Sequence, residues 1–234
     1  MGRAGAASGT SPMFPIKDTQ PSYSRPAVTL LLIAVNLLVF LYELSLDPFS
    51  RNHFIASYAL VPDRLHLISL LTSMFLHGGW LHVLGNVWFL WIFGDNVEDI
   101  LGHGRYLLFY LLCGVAAAAV QVLASPDSRV PVIGASGAIA GVMGGYLVKF
   151  PRARILTLIF IVFFFTTVEL PAVLMLAYWF LIQLFSGVGS IGYAASSQGG
   201  IAWFAHVGGF LAGMLLVRLM AARRPYSRRK DLSW

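Results

Sequence analysis

The chain is a series of long apolar runs separated by short polar breaks, and several runs approach the length needed to cross a bilayer. Hydrophobic residues fill 58% of its 234 positions and charged residues only 11%. A soluble domain carries about a quarter charged residues, so a water-soluble globular fold is excluded. A mean hydropathy of +0.75 agrees. The chain is expected to be a single polytopic membrane domain in contact with membrane lipids. In a soluble protein, a net charge of +6 would suggest nucleic acid. Here the basic residues flank the apolar runs, where they set topology, and no nucleic-acid partner is expected.

The runs read as an all-α bundle of six spanning helices at 28–46, 79–94, 106–124, 136–150, 170–186 and 202–220, with a short central fourth helix. Loop 47–78 is too apolar for a free loop and too broken to span, which suits a segment lying along the interface. The run 155–165 has eleven residues, where a span needs about twenty. It is read as an interfacial segment leading into helix five, with a seven-helix count as the alternative. Thr166 and Glu169 have capping-box spacing there, and Pro171 suits a first helical turn.

Residues 1–25 are polar and rich in Gly, Ser and Pro, as in a disordered tail. No cleavable signal peptide is evident. Met13 begins a more protein-like stretch, so residues 1–12 are read as dispensable or as a misassigned start. Residues 26–222 form the membrane domain, and 223–234 a basic tail. With both termini inside, thirteen of the 16 Lys and Arg residues fall inside, and only Arg51, Arg64 and Arg129 outside. That bias places both termini in the cytoplasm.

Against this background Ser136 and His206 stand out, about seventy residues apart at or just inside apolar runs. A polar group at membrane depth is costly and marks a functional site by default. Serine with histidine suggests a nucleophile and its general base. Counting helical rise from the inner ends of helices two, four and six puts His82 at about 18 Å, Ser136 at about 21 Å and His206 at about 18–22 Å. In a core about 30 Å thick, the three share one level nearer the outer side.

Ser136 follows Gly134 at a helix start, where unpaired N–H groups and a partial positive charge can stabilise an oxyanion. Taken alone, the serine reads as an ordinary helix cap. Gly134, Gly137, Gly141, Gly209 and Gly213 are read as glycines that let helices pack. Gly137 and Gly141 (with Gly145) line one side of helix four, and Gly209 and Gly213 share the face of His206. Such faces let membrane helices approach closely, which would set His206 beside Ser136, although generic packing around a structural histidine has the same spacing. His82 and Asn86 are i and i+4 on helix two, and both can donate to an oxyanion. Zinc favours His at both positions, and Asn86 with no nearby Cys or acidic ligand argues against a metal. His77 is assigned a structural role at the loop–helix junction. The one cysteine, Cys113, excludes an intrachain disulfide and a cysteine metal cluster. Asp95, Glu98 and Asp99 cluster at the inner end of helix two as caps, which leaves a Ser–His dyad rather than a triad.

His82-Val83-Leu84-Gly85-Asn86, Gly134-Ala135-Ser136-Gly137 and Ala205-His206 with Gly209 and Gly213, in this order, resemble the rhomboid family of intramembrane serine proteases, in its bacterial six-helix form. The likeness covers about residues 13–222. It implies Ser136 as nucleophile and His206 as general base, with His82, Asn86 and the Ser136 N–H as oxyanion donors. It also implies transmembrane proteins as substrates, cleaved where their helices unwind, with no cofactor and no metal. The expected location is the bacterial cytoplasmic membrane, with the site open to the outer side, and no oligomeric state is specified. Where some members carry an aromatic residue four positions after the nucleophile, packed on the histidine, this chain has Ala140. Trp203 and Trp179 are the expected substitutes. The Trp-Arg pair of the first loop in some members is also absent. The Gly- and Ser-rich loop 187–201, with helix five, suits a lateral gate. A client-binding protein without catalysis and a transporter are the competing classes; the intact Ser–His pair argues against the first and the lack of internal repeats against the second.

Overall fold

A computed structural model describes residues 13–161, 164–190 and 202–221. Strand β1 (Met13–Asp18) precedes helices α1 (Ala27–Ser45) and α2 (Pro48–Tyr58), the single turn α3 (Ser69–Thr72), α4 (Trp80–Leu101), α5 (His103–Ala124) and α6 (Ser136–Lys149). Strands β2 (Arg154–Ile161) and β3 (Phe164–Pro171) follow, then α7 (Ala172–Ser190) and α8 (Trp203–Met220). The fold is mostly helical, and α1, α5, α7 and α8 are long and apolar enough to cross a membrane. In α4 the apolar stretch gives way to acidic residues after Gly94, and α6 has only 14 residues. A helix of that length spans about 21 Å, short of the hydrocarbon core.

The starts of α1 and α2 are closed by acidic side chains. The carboxylate of Glu98 accepts from the backbone N–H groups of Val28 and Thr29 at 2.9 and 2.8 Å and from the Thr29 hydroxyl at 2.7 Å. It thereby satisfies donors that the first turn of α1 would otherwise leave bare. Asp99 accepts from the backbone N–H groups of Tyr23 and Ser24 at 2.5 and 2.9 Å, and also holds the Ser24 hydroxyl. Asp47 caps α2, with Pro48 in its first turn. Between α4 and α5 the chain turns at Gly102, whose φ of +75° favours glycine.

Three sequence expectations are corrected. Residues 13–25 are not part of a disordered tail: β1 lies against α4, where the Trp88 indole donates to the Pro15 carbonyl at 2.7 Å, and Asp18 accepts from the Tyr146 hydroxyl at 2.5 Å. The run 155–165, read as an interfacial segment with a seventh span as the alternative, is not a spanning helix: its residues 155–161 and 164–165 lie in an antiparallel sheet of order β1-β2-β3, with Met13 opposite Ile159 and Arg154 opposite Pro171. β-Branched and aromatic residues favour strand, and β1 supplies the third strand that a lone hairpin lacks for stability. Thr166 and Glu169 form no capping box; they pair with Ile159 and Leu156 in the sheet, and α7 starts after Pro171. The expected tails at 1–12 and 223–234, and loop 187–201 beyond the end of α7, lie outside the described residues.

The core forms where α6 is wrapped by α4, α5 and α8 around Phe93, Phe109, Tyr110, Met143, Tyr146 and Phe210. The tightest approach is between α6 and α8. A Cβ at Gly209 would land on the carbonyl of Gly137, and one at Gly213 on the carbonyl of Gly141. A Cβ at Gly137 would lie 2.6 Å from that of Ala117 on α5. The two predicted glycine faces therefore meet backbone to backbone. Gly213→Ala is expected to lower the thermal midpoint in detergent, losing about 1–3 kcal/mol or more of stability by overpacking. Gly85→Ala is the control, since its Cβ meets nothing within 4 Å. Equal midpoints for the two variants would refute a tight α6–α8 seam.

Candidate active site

The segment before α6 is fixed by its backbone. Val132 exchanges hydrogen bonds with Leu60 at 2.8 and 3.1 Å, and the Gly134 N–H donates to the Ser73 carbonyl at 2.9 Å. Gly134 has a φ of +119°, and a Cβ there would lie 2.5 Å from Nε2 of His82. Both conditions require glycine. Gly134 is therefore a turn glycine beside the site and not, as its sequence grouping suggested, a helix-packing one.

Ser136 is the first residue of α6, and Ala135 occupies the cap position without a side-chain bond. The serine hydroxyl is thus not an N-cap. It meets the His206 imidazole instead, with Oγ 2.7 Å from Nε2. The backbone N–H groups of the first helical turn lack intrahelical acceptors, so donors and nucleophile share one helix end.

His206 lies in the first turn of α8 and is buried. Its Nδ1 is 2.7 Å from Oε1 of Gln183 on α7. With Nδ1–H donated to that oxygen, Nε2 is left to accept the serine proton. Trp179 lies tilted over the ring with centroids 5.8 Å apart, and Trp203 meets it edge-on at 6.4 Å. Both tryptophans expected from the sequence therefore touch the histidine. Gln121 accepts from the Ala205 N–H at 3.1 Å and ties the start of α8 to α5. Sequence reasoning missed Gln183 and Gln121. Both are polar residues inside apolar helices, the same signal that singled out Ser136 and His206, and Gln183 is one turn from Trp179 on the same face.

His82 and Asn86 complete the cluster from α4. The Gly78 N–H approaches His82 Nδ1 at 3.4 Å, leaving Nε2 to carry the proton and face Gly134. Asn86 is buried, and its Nδ2 has no hydrogen-bond partner among the described residues. His82, Ser136 and His206 line a cavity of about 710 Å³ with Gly78, Gly134 and Ala205. His77 is buried at the junction before α4, where Glu43 accepts its backbone N–H at 3.1 Å and its ring packs edge-on against His82 with centroids 5.2 Å apart. Among the described residues no three His, Cys, Asp or Glu side chains converge as a metal would require.

The Rhomboid domain family model matches residues 64–223. Over 208 residues the chain is 30% identical to "Rhomboid-like protein 11, chloroplastic" of Arabidopsis thaliana, covering 88% of this chain and 69% of that protein. Over 128 residues it is 34% identical to "Rhomboid protease GluP" of Bacillus subtilis (strain 168), covering 53% of this chain and 24% of that protein. Over 139 residues it is 31% identical to the human "Presenilin-associated rhomboid-like protein, mitochondrial", covering 58% of this chain and 36% of that protein. The chain thus aligns with about a quarter to a third of the last two relatives.

A serine hydroxyl held on an imidazole nitrogen should react with activated phosphonates as an ordinary membrane serine does not. A fluorophosphonate probe is expected to label the chain once, at Ser136, and to lose that labelling in His206→Ala. Labelling that persists in His206→Ala would show that the contact does not activate the serine.

Proposed function

The chain belongs to the rhomboid family, and on that footing we propose that it is an intramembrane serine endopeptidase that cuts transmembrane segments of other membrane proteins. The hydrogen bond between Ser136 Oγ and His206 Nε2, beside a cavity that also presents His82, carries this reading. In the first step the Ser136 oxygen attacks the scissile carbonyl carbon while His206 Nε2 takes its proton. The tetrahedral oxyanion is held by the Ser136 N–H, the Asn86 amide and His82 Nε2–H, donors arranged before the charge develops. His206 then returns the proton to the leaving amine, and a water admitted through the cavity hydrolyses the acyl-enzyme by the same route in reverse.

The same reading completes the topology. α4 and α6 join α1, α5, α7 and α8 as spans, giving a six-helix core in which the short α6 leaves its outer end below the surface. Water can then reach Ser136 from the outer side. The distribution of basic residues favours both termini on the inner side of the membrane. A substrate helix enters beside α7 and must unwind to expose a peptide carbonyl that helical hydrogen bonds otherwise hide. Substrates with helix-weakening residues fit that requirement.

Ser136→Ala and His206→Ala are each expected to abolish cleavage of a reporter transmembrane substrate in detergent. Wild-type cleavage by either variant would remove the proposal in favour of client binding without catalysis. Asn86→Ala should be milder, slowing turnover about 10²-fold as one of several oxyanion donors.

A further inference from the structure

The geometry points to Gln183 as a positioning residue that holds His206 in its base-competent tautomer. This inference rests on the protease reading above. A neutral imidazole carries one proton on either of two nitrogens, and only the form protonated at Nδ1 leaves Nε2 free to take the serine proton. A hydrogen-bond partner on the other nitrogen sets the choice. In this chain that partner is the Gln183 carbonyl oxygen, 2.7 Å from Nδ1, on a side chain buried to 7% exposure. No carboxylate is hydrogen-bonded to His206 among the described residues, where its partners are Gln183 and Ser136.

The surroundings explain why the task falls to α7. Ala140, one turn into α6 from Ser136, is fully buried and too small to brace the ring. Bracing comes instead from α7, where Trp179 lies over the imidazole and Gln183, one turn further on, accepts the hydrogen bond from its Nδ1–H. A neutral carbonyl suits this depth. It stabilises the imidazolium that forms during attack by its dipole, without placing an unpaired carboxylate in the resting site, where burying a charge is costly.

Two variants of the full chain in detergent test the assignment. Gln183→Leu keeps the bulk and removes the acceptor, and it is expected to lower kcat about 10- to 100-fold with KM little changed. Gln183→Glu restores an acceptor and adds charge. It should retain activity, and the acidic limb of its kcat/KM profile should move to higher pH by about one unit or more, because a neighbouring carboxylate favours the protonated imidazole. The third readout needs no turnover: nitrogen-15 histidine spectra, with His206 assigned by its loss in His206→Asn, report the tautomer directly. Wild type should show Nδ1–H, and Gln183→Leu a mixture. A Gln183→Leu variant with wild-type kcat, a loss confined to KM, an unmoved profile in Gln183→Glu, or an unchanged tautomer would each overturn the assignment. Failure of the protease reading is distinguishable, since it shows as cleavage surviving Ser136→Ala while the spectra still report on Gln183.

Discussion

The site depends on a contact that involves none of its reacting atoms: the backbone-to-backbone approach of α6 and α8 at Gly137 with Gly209 and Gly141 with Gly213. A single hydrogen bond contributes about 1 kcal/mol net, too little to draw two membrane helices together against side chains that need room. The order of cause therefore runs from glycine to dyad. Ser136 directly precedes Gly137, and His206 stands three residues before Gly209. Once the glycines meet, the serine and the imidazole fall within hydrogen-bond distance without strain in either helix. Substitution deep in the seam should therefore be felt at the site without any change to its polar groups.

The same low-dielectric setting decides how buried polar groups are arranged elsewhere. In α4, Glu98 reaches back seventy residues to the start of α1, and Asp99 binds the chain just before it. Gln121 on α5 takes the Ala205 N–H at the start of α8. Each joins the open end or approach of one helix to a side chain on another, so helix termini that water would satisfy in a soluble protein become links between elements.

Much of this was legible one residue at a time. The spans follow from apolar length, the seam from glycines at four-residue spacing, and the Ser–His pair from polarity at depth. The helix boundaries at Ser136 and near Ala124 and Met220 agree closely with those expected. What escaped depends on partners distant in sequence. β1 is ordered by β2, about 140 residues away, and by Trp88, so a polar stretch that reads as disorder in isolation is a strand in context. Eleven apolar residues from 155 do not reveal from length alone whether they will coil or extend. α4 runs past the apolar boundary at Gly94 because its acidic residues hold the start of α1, a function invisible to hydropathy. Gln183 is one polar residue within the apolar run of α7, and only the packing of α7 on α8 brings its neutral amide to His206.

That amide divides the site into two mechanical parts. The distance between Ser136 and His206 is set by α6 and α8, locked at their glycines. The surroundings of the imidazole are set by α7, which meets α8 through larger side chains: Trp179 on His206, and Phe180 on Phe210 at 4.9 Å between centroids. Side-chain contacts of this kind can repack, whereas a glycine seam has no room to slide without breaking. If substrate entry moves any helix of this bundle, α7 is the one whose displacement leaves Ser136 and His206 in register while removing the acceptor that orients the proton. Geometry and protonation of the dyad are therefore separable here, and only the second is exposed to the helix beside which a substrate would arrive.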